Sequence, residues 1–311
     1  MTMVKIEKLF KKFGDNVAVD NINISIKKGE IYGLLGPNGA GKSTIINIMC
    51  GLLGMNKGRV EILGKDIKKH SKFTKSNIGV VPQELAIYED LTAYENVKFF
   101  ASLYGLKGND LKEKTLEALK FVGLEDKVKQ YPKSFSGGMK RRLNIACAIA
   151  HRPKLIIMDE PTVGIDPQSR NHILRSVNKL NEIGSTIIYT THYMEEVESI
   201  CTRVGIIDHG KLIAEGTKEE LKAIVTDKKS ITVTIDELSE IDIKKIENIN
   251  GVISVDFKEN MITINSNKEI NNLENIILYF TNNNISIRNI TSTEPNLETV
   301  FLILTGRKLR D

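Results

Sequence analysis

The stretch Gly36-Pro37-Asn38-Gly39-Ala40-Gly41-Lys42-Ser43-Thr44 follows an apolar run, Ile31-Tyr32-Gly33-Leu34-Leu35, and leads into Ile45-Ile46-Asn47-Ile48-Met49. A buried strand, a glycine-rich turn and a helix start are expected in that order. Gly36 and Gly41 bracket four residues before a lysine and a hydroxyl residue, which is the spacing of a phosphate-binding loop. Such a loop wraps an anion with its own N–H groups, and a Cβ at either glycine would block the backbone angles or the approach. The helix that follows aims unpaired N–H groups and its positive dipole end at the same anion. Asn38, Gly39, Ala40 and Thr44 belong to this cradle, Lys42 is expected at the β- and γ-phosphates, and the Ser43 hydroxyl is expected on Mg²⁺. The loop alone does not say which kind of nucleotide machine carries it.

A chain of 311 residues suggests two domains, and 41% apolar residues suffice for a core in each. Lys plus Arg exceed Asp plus Glu by 44 to 39, an excess of +5 that is too small to argue for a nucleic-acid partner. No apolar run approaches the length of a membrane span, and the start, Met1-Thr2-Met3-Val4-Lys5, lacks signal-peptide character. A cytosolic chain is expected. Cys50, Cys147 and Cys201 are far apart in apolar company and read as buried free thiols.

Outward from the loop, residues 4–9 and 22–26 alternate as half-buried strands of a small antiparallel sheet. Phe13 sits before Gly14 in a turn between them, where it suits either a core or a stack on an adenine base. Residues 58–63 and 78–81 read as further strands. From Leu91 to about Val128 the period becomes helical, and the aromatics of this insertion read as core. Ser136-Gly137-Gly138 opens a helix placed over Leu143 to Ala150, a second anion cradle by type. Leu155-Ile156-Ile157-Met158 is a strand buried on both faces that ends in Asp159 and Glu160, at the edge where open α/β sheets bind ligands. Asp159 suits the Mg²⁺ shell, and Glu160 suits orienting and deprotonating a water. A similar strand over 185–191 ends at His192, whereas His70, His151, His172 and His209 read as incidental. Residues 203–215 form a hairpin turning at Asp208-His209-Gly210, and a polar helix and linker run from Glu219 to about Lys229. Beyond them come strand 231–235, helix 238–248, strands 252–257 and 260–265, helix 270–281, strand 285–290 and a short helix from Asn296. That βαββαβ order is ferredoxin-like.

With these pieces in order, residues 1–220 resemble the ATP-binding-cassette ATPases. The family's adenine-stacking loop matches Phe13, where tyrosine is commoner, its phosphate loop matches 36–44, and its glutamine loop matches Gln83. Its signature matches Phe135-Ser136-Gly137-Gly138-Met139, where leucine and glutamine usually stand at 135 and 139. Its second acidic strand matches 155–160, its dimer-crossing loop Gly164-Ile165-Asp166-Pro167, and its switch histidine His192. The resemblance implies an α/β P-loop cassette with a parallel core sheet, an antiparallel β subdomain and a helical insertion at about 90–150. A small α+β ferredoxin-like domain follows over 221–311.

The resemblance also implies ATP and Mg²⁺ as cofactors, with two copies of the chain, expected to be identical, sandwiching the nucleotides. Ser136, Gly137 and Gly138 would then serve the partner copy's γ-phosphate. Within one copy Lys42, Ser43, Gln83 and Asp159 would hold phosphates and metal, Glu160 would prepare the water, and His192 would contact the γ-phosphate. The tail, Glu294 to Leu302 and Thr305-Gly306-Arg307, resembles ATPase subunits of bacterial drug, antibiotic and polysaccharide exporters. The expected function is therefore ATP hydrolysis that powers a separately encoded membrane permease. The chain would sit in the cytoplasm at the inner face of the membrane, with the segment 84–88 docking a permease helix. The other readings are a soluble cassette acting on DNA or the ribosome, and a nucleotide-sensing regulator.

Overall fold

A computed structural model describes residues 1–225, 228–236, 241–267, 269–293 and 296–305. The chain divides into two compact units, one from Met1 to Lys218 and one that begins at Glu219.

The first unit opens with two long strands, β1 (Thr2–Phe13) and β2 (Asn16–Lys27). They bury Val4 and Ile6 and then Ile22, Ile24 and Ile26 by alternation, and a register shift between Ile6 and Leu9, with Lys8 at φ +48, returns Leu9 to the same core. With β4 (Lys57–Ile62) and β5 (Lys65–Asp66) they form an antiparallel sheet in the order β2-β1-β4-β5. Between β2 and β4 come β3 (Ile31–Leu35), buried throughout, and the helix α1 (Lys42–Met49). Ile45, Ile46, Ile48 and Met49 of α1 join one core cluster with residues of β1, β2, β4 and β3. The helix behind the phosphate loop is thus clamped between two sheets, which fixes the loop on a rigid base.

Next come α2 (Ser71–Ser76), β6 (Ile78–Val81), and the helices α3 (Ala93–Leu103), α4 (Gly108–Phe121) and α5 (Gly137–Ile149) of the insertion. A capping box starts α3, in which Thr92 accepts the Glu95 N–H and Glu95 accepts the Thr92 N–H. α5 begins at Gly137, six residues before the expected Leu143, because Ser136 caps it by accepting the Met139 N–H at 3.2 Å. Its run from Leu143 to Ala150 is wholly buried. Of the aromatics of the insertion, Tyr94, Phe100 and Phe121 are half-buried, while Phe99 and Tyr104 depart from the core reading. Val97 and Ala101 are fully buried, but Phe99 is 38% exposed and packs edge-on against Tyr88, itself 51% exposed.

The parallel sheet is completed by β7 (Leu155–Asp159), α6 (Pro167–Glu182), β8 (Thr186–Thr191), α7 (Met194–Ile200), β9 (Arg203–Asp208) and β10 (Lys211–Gly216). Its order is β10-β9-β3-β8-β7-β6, parallel except for β10, which pairs antiparallel with β9. β3, and β7 up to Met158, read as continuous apolar runs, and β8 is buried throughout, because helices cover both faces of such a sheet.

The second unit opens within α8 (Lys218–Val225) and runs on through β11 (Lys228–Ile235), α9 (Ile243–Glu247), β12 (Val252–Lys258), β13 (Met261–Asn267), α10 (Leu273–Asn282), β14 (Ile287–Thr293) and α11 (Leu297–Thr305). The strands pair antiparallel in the order β12-β13-β11-β14. Alternate residues Ile231, Val233, Ile235, Ile262 and Ile264 pack with Ile246 of α9 and with Ile276 and Phe280 of α10. The start of the expected helix at 238–240 lies outside the described residues, as do Glu294, Pro295, Gly306 and Arg307 of the tail.

Candidate nucleotide-binding site

Strand register brings the site together. Leu35 at the end of β3 stands opposite Thr191 of β8 and Ile206 of β9, Asp159 of β7 opposite Thr190, and Val81 of β6 opposite Met158. Gly36, Gln83, Glu160 and His192 therefore leave four strands at one edge of the sheet, the carboxyl edge where a helix start can meet an anion. The loop glycines are required by packing as well as by the ligand. A Cβ on Gly36 would fall on the Ile207 carbonyl, and Gly41, at φ +105, would drive one into the Ala18 carbonyl. The turn between β9 and β10 braces the loop, since the Gly210 N–H donates to the Ala40 carbonyl at 3.0 Å and the Gly210 carbonyl accepts the Asp20 N–H at 2.8 Å.

Lys42 is buried, and its ammonium donates to the carbonyls of Gly36 at 2.6 Å and Pro37 at 3.0 Å. Burial pulls its pKa below the ordinary lysine value, opposed by the carboxylates of Glu160 and then Asp159. Glu160 is the point on which the other groups converge. Lys42 Nζ lies 4.0 Å from its Oε1, Gln83 Nε2 lies 3.5 Å from its Oε2, and His192 Nδ1 lies 3.5 Å from the same oxygen. The backbone of Glu160 is in the left-handed region at φ +47, which is costly for a residue with a Cβ. Its N–H is held by both the hydroxyl and the carbonyl of Thr190, at 2.9 and 3.2 Å. Asp159 is half-buried, and its Oδ1 accepts the Thr190 hydroxyl at 2.6 Å.

A cleft of about 360 Å³ is lined by Asn38, Gly39, Gly41, Lys42, Ser43, Thr44, Gln83 and Glu160, together with Asn16, Val17, Ala18, His209 and Gly210. Gly36 and Ala40, both buried, stand behind this wall. Phe13 does not line the cleft. It ends β1, is 48% exposed, and carries the Lys11 ammonium 4.8 Å above its ring. The neighbouring wall is made by the next strand start, Asn16 to Ala18, which the sequence reading passed over. His209, read as incidental, stands at the cleft on an 80% exposed side chain. Ser136 and Gly137 are exposed at the start of α5 and outside the cleft, while Gly138 is buried against Ser169 of α6.

Three further residues escaped the sequence reading. Arg141 of α5, 5% exposed, donates to the carbonyls of Pro82 at 2.7 Å and Gln83 at 2.6 Å, tying the signature helix to the glutamine loop. Thr190 bridges the two carboxylate positions as described. Glu196 of α7, a buried carboxylate, accepts the hydroxyls of Thr162, Tyr189 and Thr191 at 2.7, 3.0 and 2.8 Å, with Arg170 Nε at 3.6 Å. It joins the turn after Glu160 to the strand that carries His192.

A glycine loop at a helix start, with a buried lysine, a glutamine and a glutamate lining one cleft and His192 3.5 Å from that glutamate, defines a P-loop nucleotide-hydrolysing cassette. Comparison with known proteins matches residues 19–163 to the family described as ABC transporter. The chain is 46% identical over 312 residues to the linearmycin resistance ATP-binding protein LnrL of Bacillus subtilis, covering 99% of this chain and 100% of that one. It is 35% identical over 311 residues to the Nod factor export ATP-binding protein I of Sinorhizobium fredii, covering 99% and 87%. Among solved structures, a dimeric ATP-binding cassette, MJ0796, in a post-hydrolysis state bound to ADP and Pi, superposes with a TM-score of 0.63 at 31% identity, over 69% of this chain and 98% of that one. The chain belongs to the ATP-binding-cassette transporter family, as an ATP-hydrolysing subunit of the drug-exporter type. The readings of a soluble regulator or a nucleic-acid ATPase are not favoured by relatives named for resistance and export.

Proposed function

We propose that two copies of this chain close around two ATP molecules and thereby drive a separately encoded export permease at the inner face of a membrane. The convergence of Lys42, Gln83 and His192 on Glu160 carries this reading. Glu160 is the base that takes a proton from the attacking water, and His192 and Lys42 hold the γ-phosphate beside it. Ser43, Gln83 and Asp159 offer a hydroxyl, an amide and a carboxylate oxygen, a hard donor set that fits Mg²⁺. When bound, the metal neutralises charge on the β- and γ-phosphate oxygens. Ser136, Gly137 and Gly138, outside the cleft of their own copy, complete the site of the other. No helix among the described residues is long and apolar enough to cross a membrane, and in this reading a permease supplies the spans.

An apolar groove of about 510 Å³, lined by Leu52, Val80, Pro82, Ala86, Phe100 and Tyr104 among others, lies next to the glutamine loop. It supports docking of a permease helix there, where Arg141 can relay its movement to Gln83. The full-length likeness to a linearmycin resistance subunit supports an antibiotic or a similar compound as the exported substance.

Glu160→Gln tests the chemistry. ATP binding should persist and an ATP-bound dimer should accumulate in gel filtration, while turnover falls by about a hundredfold or more. Unchanged turnover would mean that another group is the base.

A further inference from the structure

We propose that Thr190 is a positioning residue for both carboxylates of the site, setting Asp159 and Glu160 with one buried hydroxyl. This rests on reading Asp159 as a metal ligand and Glu160 as the base. Thr190 is fully buried in β8 and faces the end of β7. A hydroxyl has one proton to give, and Asp159 Oδ1 at 2.6 Å takes it in preference to the Met158 carbonyl at 3.4 Å. The same oxygen then has lone pairs left, and it accepts the Glu160 N–H at 2.9 Å.

The two bonds do different things. The first fixes the rotation of the Asp159 carboxylate without using its other oxygen. The second helps to hold the chain at φ +47, the turn that carries the Glu160 side chain toward Lys42, Gln83 and His192. A valine would fill the same volume, release the Asp159 carboxylate and leave the Glu160 N–H with the carbonyl of residue 190 alone. Groups that orient a metal ligand in this way are typically worth about 10- to 100-fold in affinity or activity.

The test uses the full chain with Thr190→Val and Thr190→Ser. Steady-state ATPase should show kcat lowered about 10- to 100-fold in Thr190→Val with KM for ATP nearly unchanged, and near-normal kcat in Thr190→Ser, which keeps the hydroxyl but lacks the methyl. In the Glu160→Gln background, where turnover is removed, Mn²⁺ binding in the presence of ATP, read by electron paramagnetic resonance, should weaken about tenfold for Thr190→Val and not for Thr190→Ser. Wild-type kcat and Mn²⁺ affinity in Thr190→Val would overturn the proposal, as would a Thr190→Ser variant as impaired as Thr190→Val, since packing of the methyl would then be the cause. Asp159→Asn separates the two levels of the argument. If it leaves Mn²⁺ affinity unchanged, the metal reading fails and takes the proposal with it. If it abolishes binding while Thr190→Val does not, only the role of Thr190 fails. Should Thr190→Val not fold, Thr190→Ser against Thr190→Ala makes the same comparison.

Discussion

A Cβ on Gly138 would coincide with the Ser169 side chain, so this glycine is fixed by the approach of α5 to α6 before any phosphate is considered. Gly138→Ala should therefore lower stability by about 1–3 kcal/mol through overpacking, seen as a fall in Tm. Ser169→Gly in the same chain should recover most of it. An unchanged Tm in the single variant would show that the helices can part at no cost. The phosphate loop, the paired carboxylates and His192 were legible in the sequence because each is a local pattern at the end of an apolar run. Thr190 was not, because Asp159 lies 31 residues away and only strand register makes them neighbours, nor was Glu196, which joins the nearby Tyr189 and Thr191 to Thr162, 34 residues away. Phe13 was legible as an aromatic before the loop, but the residues lining the cleft are those of the next strand, Asn16 to Ala18.

At the scale of elements, α5 shows what periodicity alone misses. The opening at Ser136-Gly137-Gly138 and the buried half were read correctly, but the body was placed only from Leu143, because Gly137 and Gly138 weaken the helical pattern that the Ser136 cap restores. Just beyond its end, the His151 ring stacks on Tyr104 with centroids 3.5 Å apart, and its Nε2 lies 3.1 Å from the Ile78 carbonyl, pinning α5 to α3 and β6. Burial pushes the His151 pKa down to about 4 from an ordinary value of 6.5. The folded chain thus binds fewer protons than the unfolded one between those values. The contribution is fully present above pH 6.5 and is lost as pH falls toward 4, on the order of 2 kcal/mol after discounting for partial exposure. His151→Phe keeps a ring against Tyr104 and removes the titration, so its Tm should fall less than that of wild type between pH 7.5 and pH 5. Parallel curves would show that the histidine does not drive the acid sensitivity.

For the whole molecule, the division of labour between cleft and groove is testable. Leu52, 72% exposed at the groove, and Phe99, on the exposed aromatic cluster with Tyr88, both lie away from the nucleotide cleft. Leu52→Glu with Phe99→Glu should leave the basal ATPase of the isolated chain within about twofold, because a surface change far from the chemistry is nearly neutral. The same variant should fail to co-purify with a permease encoded beside it, and retained co-purification would move the docking surface elsewhere. The order of the parallel sheet also bears on how the molecule is made. Both neighbours of β3, which carries the phosphate loop, come from residues 186–208, roughly 150 residues further along the chain. A nascent polypeptide therefore emerges from the ribosome with that strand bare on both sides for most of its synthesis. Closing so long a loop is slow, and exposed strand edges invite mispairing in the meantime.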